Sequence, residues 1–375
     1  MDSTMQRLSS ALSVAVLAFA VASPAAGFDR IYKSDGSIID GVIVVSETIQ
    51  TVTYKPEKGR GEKEVRSDEV LRVEFVNRPE DISAAEVDAS DQALLGAISG
   101  YQNYLGGLSE RGDRKFPWAA AYARFRLVEM HERRNSIPDM VAAVDELLTA
   151  HPDSRYVPIA VIKKIEAQLI TGDKAAARAT VEAFGALVTE KGLSQRSQYE
   201  RDVRVILTKA GQTAAVAEAA LQKLASDAAV YPTVANRADV ATGESLLSRS
   251  EFAKAEDMFR GVTESPNADD RTLAAAWTGL GDCLYRRAEG KAAGGDAEGA
   301  SELFAEAQVA FMRVVVLYRN ELAYMPKSAF YAGRCIQEIG GDTAADRSNR
   351  LFKYVMFNFR GTRWADSAKQ FRRRN

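Results

Sequence analysis

The chain has 375 residues, 46% of them hydrophobic, with 49 Lys and Arg against 51 Asp and Glu. The length leaves room for two or more domains with packed cores. A net charge of −2 excludes a nucleic-acid binder built on a basic face, and ten prolines are few enough for a largely helical chain.

In chain order, residues 1–27 read as a secretory signal. Arg7 supplies the positive start, residues 12–22 the apolar run, and small residues around 20–27 the cleavage region. The run is too short to span a bilayer unaided, and no Cys stands near the cleavage region for lipid attachment. The mature chain is therefore expected to be exported, periplasmic or secreted, without a transmembrane segment.

Residues 28–76 form a β-rich block. Gly36 is placed for a left-handed hairpin turn after Lys33, and residues 38–45 and 49–55 are β-branched runs. A second turn falls at Gly59 and Gly61. Leu71, Val73 and Phe75 then alternate with Arg72 and Glu74, the pattern of a strand with one dry face. Four or five short strands in so few residues predict a small barrel or rolled sheet. Its core is marginal, so it needs support from the helical domain, a second copy or a partner. Residues 77–89, with Pro79 and several acids, read as a linker.

From residue 90 to the end the chain reads as helical. Turns at Asn135, Gly172, Gly211, Ser250, Gly295 and Gly341 recur at intervals of 37, 39, 39, 45 and 46 residues. A second set of breaks falls between them, at His151, Tyr231, Ser265, Tyr318 and Phe359. Two interleaved sets of breaks predict about five or six stacked helix pairs, an α-solenoid. Small residues sharpen this. Trp277, Leu280 and Gly281 lie at helical spacing, with Gly243 and Gly333 at matching places. On the alternate helices Ala255 precedes Phe259 and Ala307 precedes Phe311, each a small residue one turn before a large one. Cys283 and Cys335 occupy corresponding positions and read as packed, unpaired thiols. A last helix beginning near Trp364 ends in three arginines and supplies a polar cap.

These residues resemble the tetratricopeptide repeat, W-x2-L-G on the first helix and A-x3-F on the second. The segments around Val314, Tyr331 and Phe357 look like the cell-envelope subgroup of that family, and the β block is similar to small SH3- or Sm-like barrels. The resemblance implies a non-catalytic scaffold that binds protein or peptide partners in cell-envelope assembly or maintenance. Carried over residue by residue, it assigns Arg237, Val240, Glu244, Thr278, Asp282, Tyr285, Arg286, Phe330 and Arg334 to the concave groove. That face either meets a partner or is simply solvated. The other reading is a peptidoglycan- or carbohydrate-binding module, with the β block as reader and the solenoid as spacer.

Little points to chemistry. His131 and His151 are the only histidines and neither sits in a metal-binding pattern. Gly279 and Gly281 lie inside a helix and so make no dinucleotide loop. No catalytic residue, metal or cofactor is implied. The basic C-terminal end, with Arg347, Arg350, Lys353, Arg360, Arg363 and Lys369, reads as a solubilising cap or as a contact for an anionic surface.

Overall fold

The computed structural model describes residues 27–91, 93–108, 114–360 and 362–373. The expected signal lies outside them. Five strands come first: β1 (Asp29–Lys33), β2 (Ile38–Glu47), β3 (Thr51–Pro56), β4 (Lys63–Arg66) and β5 (Val70–Glu74). They form one antiparallel sheet in the order β4-β3-β2-β1-β5. Gly36, at φ +84°, makes the first hairpin, as its freedom from a Cβ allows. The Asp29 carboxylate accepts hydrogen bonds from the Val44 and Val76 amides, tying β1 to β2 and to the chain leaving β5.

The expected dry face of β5 is only partly right. Val73 and Phe75 are buried, but Leu71 is 68% exposed and Val70 takes the inward place. The register between β1 and β5 slips there, from Tyr32 opposite Arg72 to Lys33 opposite Val70. The extra residue is a bulge, and a bulge reverses the facing of the side chains beyond it.

Residues 80–90, expected as linker, instead form α1 (Glu80–Ser90), with Ile82, Ala85 and Ala89 buried. Those three residues give it an apolar stripe short enough to escape notice beside its acids. It pairs with α2 (Leu94–Gly106). Six further helix pairs follow: α3 (Ala119–Arg133) with α4 (Ile137–Ala150), α5 (Val157–Ile170) with α6 (Lys174–Glu190), and α7 (Gln195–Thr208) with α8 (Ala214–Asp227). Then come α9 (Pro232–Ser248) with α10 (Phe252–Thr263), α11 (Asp270–Ala293) with α12 (Ala297–Leu317), and α13 (Met325–Ile339) with α14 (Ala344–Asn358). A single helix, α15 (Arg363–Arg373), ends the array. Each helix packs chiefly on its neighbours in sequence, which is the stacking rule of a solenoid.

From α3 to α14 every within-pair turn uses a left-handed residue: Asn135, Gly172, Gly211, Ser250, Gly295 and Gly341 have φ between +56° and +101°. Side-chain caps start several second helices, including Asp173 on the Ala176 amide and Asp296 on the Gly299 amide. The pairs close at glycines. A Cβ on Gly243 would stand 2.8 Å from the Phe259 ring, one on Gly281 2.7 Å from Phe311, and one on Gly333 2.7 Å from Phe352. Phe259, on α10, is held from both sides, since a Cβ on Gly279 of α11 would lie 2.3 Å from the same ring. Ala255, Leu280, Ala307 and Phe311 are buried, and Trp277 carries the Arg313 guanidinium 4.3 Å over its ring. Cys283 and Cys335 are buried and unpaired, and burial pushes the Cys283 thiol up to about 12.

The sheet is fastened to the array. Phe75 stacks on Trp118 with ring centroids 3.5 Å apart, and the sheet shares one apolar core with α1 to α6. Glu47 and Arg155 form an ion pair in which each side chain is only 3% exposed, and Tyr156 donates to Glu47 at 3.2 Å. Further ties are the Ile49 amide on the Asp153 carbonyl, Gln50 on the Lys191 carbonyl and Arg196 on the Asp68 carbonyl.

Candidate partner-binding cavity

The first helices of the pairs face the inside of the curve, and their charged side chains meet there. Arg271 on α11 pairs with Glu132 on α3 at 2.9 Å and with Glu166 on α5 at 2.6 Å. Lys163 also pairs with Glu132, at 2.5 Å. Arg204 bridges Glu166 and Glu200, while Arg237 joins Glu200 to Asp269. The chain of ion pairs runs from α3 through α5, α7 and α9 to α11. It therefore brings residues 139 apart in sequence into contact across the curve. Burial alone raises the carboxyls of Glu132, Glu166, Glu200 and Asp269, but the facing Lys and Arg charges outweigh it and hold all four below their ordinary values.

This network forms part of the wall of a cavity of about 790 Å³. Ile137, Pro138 and Met140 line one side, and Lys163, Ala167 and Ile170 of α5 continue it. Glu244 and Leu247 of α9, Ala275, Thr278 and Asp282 of α11, and Leu322, Tyr324 and Lys327 around the start of α13 also line it. Arg360, Thr362, Arg363 and Trp364, where α14 gives way to α15, complete the lining.

Most of the polar lining is internally satisfied. Lys327 binds Asp282, and the Thr278 hydroxyl lies 2.9 Å from that of Ser328. Burial nevertheless raises the Asp282 carboxyl, against the pull of Lys327. Glu244 is different. It is exposed on the cavity wall and has no ion pair or hydrogen bond among the described residues. Surrounding protein raises its carboxyl, helped by the like charge of Asp282 and opposed by Lys327. Arg360 and Arg363 likewise have no ion pair among the described residues, and Arg363 lies 4.3 Å over the Trp364 ring.

No protein-family model matches the chain, and no curated protein matches its sequence. Among solved structures it is similar to a tetratricopeptide repeat protein from Parabacteroides merdae, at 12% identity and a TM-score of 0.41. That match covers 78% of this chain and 96% of that one.

Of the nine groove residues expected from sequence, Glu244, Thr278 and Asp282 line this cavity. The other six stand elsewhere. Arg237 is spent in the ion-pair network, and Val240 is buried in the core. Tyr285 and Phe330 are buried among aromatic rings, Tyr285 against Phe304 and Tyr331, Phe330 against Trp364 and Phe371. Arg334 lies 3.9 Å over Phe371, and Arg286 is paired with Glu289. For Phe330 and Arg334 the cause is α15, whose Trp364 and Phe371 pack over α13 where the inner face would otherwise continue.

Lys163, Arg271, Tyr324, Lys327 and Trp364 were missed. Lys163 lies on an early, less regular pair, Tyr324 at a junction and Trp364 in the cap, while Arg271 and Lys327 stand in the first turns of α11 and α13, ahead of the positions that carry the repeat pattern. The pairing of Arg271 with Glu132 joins residues four helix pairs apart, and periodicity holds no signal for it. Among the described residues no cluster of three or more His, Cys, Asp or Glu is placed to hold a metal, and no helix is long and apolar enough to cross a membrane. The basic residues Arg347, Arg350, Lys353, Arg360, Arg363 and Lys369 are exposed.

Proposed function

We propose that the chain is an exported, non-catalytic scaffold that holds a protein partner by a polypeptide segment lying in the concave cavity, in the assembly or maintenance of a cell envelope. One observation carries the reading. The wall charges of a roomy cavity close on one another, yet Glu244, Arg360 and Arg363 are left without ion pairs, beside apolar surface from Ile137, Leu247 and Leu322. A mixture of apolar wall and a few convergent polar groups is what a peptide needs for both affinity and register. The fastened sheet holds the early helix pairs, and with them one wall of the cavity.

The test is site-specific photo-crosslinking in the native host. A photoreactive residue at Leu322, in the cavity, is expected to capture a discrete protein identified by mass spectrometry. The same residue at Val316, exposed on α12, is expected not to. Capture of the same protein from both positions, or from neither, overturns the reading.

A further inference from the structure

Charge is divided unevenly along the chain. Residues 344–375 carry nine Lys and Arg against two Asp, although the whole chain has a net charge of −2. The helix α14 displays part of this excess on its outer face. It buries Ala344, Ser348, Phe352 and Val355, and so turns Arg347, Arg350, Lys353, Tyr354 and Phe357 outward, all of them exposed. The cations lead along the helix to two aromatic rings near its end, where Phe357 is 59% exposed. The preceding second helix, α12, packs like α14 on α13, and its last turn leaves Val316 and Leu317 63% and 62% exposed. Arg319, just beyond that turn, lies close enough to Tyr354 to pull on its hydroxyl against the effect of burial, so the two helix ends are neighbours.

A solubilising cap needs the charges but gains nothing from exposed Phe, Leu and Val, and neither does a soluble polyanion. The second helices form the outside of the curve. These side chains therefore project from a convex surface, whereas a protein partner seats its anchors in pockets. A bilayer fits both features, since aromatic and aliphatic tips enter the headgroup boundary while Lys and Arg meet anionic headgroups. We propose that the outer face of α14, with the end of α12, docks the chain on an anionic phospholipid surface. Arg347, Arg350 and Lys353 contact the headgroups, and Phe357, Leu317 and Val316 sink below them. The docking face lies outside the curve and the cavity inside it, so the proposal does not depend on what the cavity holds.

The test is co-sedimentation of the protein, purified from its native host, with phosphatidylcholine vesicles with and without phosphatidylglycerol. Binding is expected only where the anionic lipid is present. The triple variant Arg347→Gln, Arg350→Gln and Lys353→Gln should weaken it by about a hundredfold, at roughly fivefold for each cation near such a surface. The same change of charge at Lys58→Gln, Arg60→Gln and Lys63→Gln, exposed around the start of β4, should alter it by less than about twofold. An environment-sensitive NBD label on Phe357→Cys separates insertion from surface attraction, and the native Cys283 and Cys335 are buried away from the reagent. Its emission should brighten and shift to the blue on the anionic vesicles, whereas the label on Val216→Cys, exposed on α8, should not respond. All the substituted side chains are exposed, so folding is not at stake. Failure to bind the anionic vesicles, or equal loss in both triple variants, overturns the proposal. So does a label at position 357 that stays in water while the vesicles are bound, which would mark the face as one for an acidic protein or polymer.

Discussion

Two glycines of one helix are expected to respond oppositely to the same substitution. On α11, an alanine Cβ at Gly281 would stand 2.7 to 2.8 Å from three atoms of the Phe311 ring, which is fully buried and stacked 5.5 Å from Tyr331. The ring has nowhere to retreat, so overpacking at the upper end of its usual range, about 3 kcal/mol, is expected. Replacing Gly by Ala in a helix returns about 1 kcal/mol, leaving Gly281→Ala destabilised by roughly 2 kcal/mol. Gly290 lies nine residues further along α11, exposed, with nothing within 4 Å of a built Cβ. Gly290→Ala should therefore gain roughly 1 kcal/mol from helix propensity alone. Urea unfolding followed by circular dichroism reads both midpoints. A double-mutant cycle with Phe311→Leu should show coupling, because the smaller side chain relieves the clash. If Gly281→Ala is neutral or stabilising, or adds independently to Phe311→Leu, the close crossing at this glycine is wrong.

Other outcomes follow from the ion pairs. Arg155→Met strands the Glu47 carboxylate at the junction of sheet and helices and should cost about 3 kcal/mol or more. Limited proteolysis should then cut first within residues 28–76, and wild-type resistance in the variant would refute the clamp. Arg271→Met removes the bridge from α11 to α3 and α5, and small-angle scattering should report a larger radius of gyration. An unchanged radius would mean that the curve does not depend on that contact. Glu244→Gln removes a carboxyl whose folded pKa lies above its unfolded one, so the wild type bears a cost at neutral pH that vanishes on protonation. The variant should melt higher at pH 7.5, with the gap closing towards about pH 4. Glu132, Glu166, Glu200 and Asp269 carry the opposite sign. Their stabilisation is complete above the unfolded carboxylate pKa and is lost as pH falls below about 4. A melting temperature that rises on acidification through that range would contradict the network.

Where the sequence was legible, a local rule decided the structure. Asn135 and Ser250 stand where the chain must turn left-handed, and glycine fills the same place at Gly172, Gly211, Gly295 and Gly341. Gly243, Gly281 and Gly333 mark close helix crossings because only a missing Cβ admits the facing ring. Where a rule met a tertiary contact it failed. Leu71 points outward because of a bulge that alternation cannot foresee. Pro79 and the acids after it read as linker, although Ile82, Ala85 and Ala89 dock a helix there. Phe330 and Arg334 carry the inner-face spacing, but α15 covers them. The cavity itself depends on Arg271 reaching Glu132 and Glu166, a contact set by the curvature of the whole array.

Hydrogen–deuterium exchange on the chain with and without the protein captured from Leu322 tests the central claim most directly. Slowed exchange in residues 137–140, 163–170, 244–247 and 322–327 is the predicted result, since these segments line the cavity. Protection confined to residues 28–76, with the cavity segments unchanged, would contradict it.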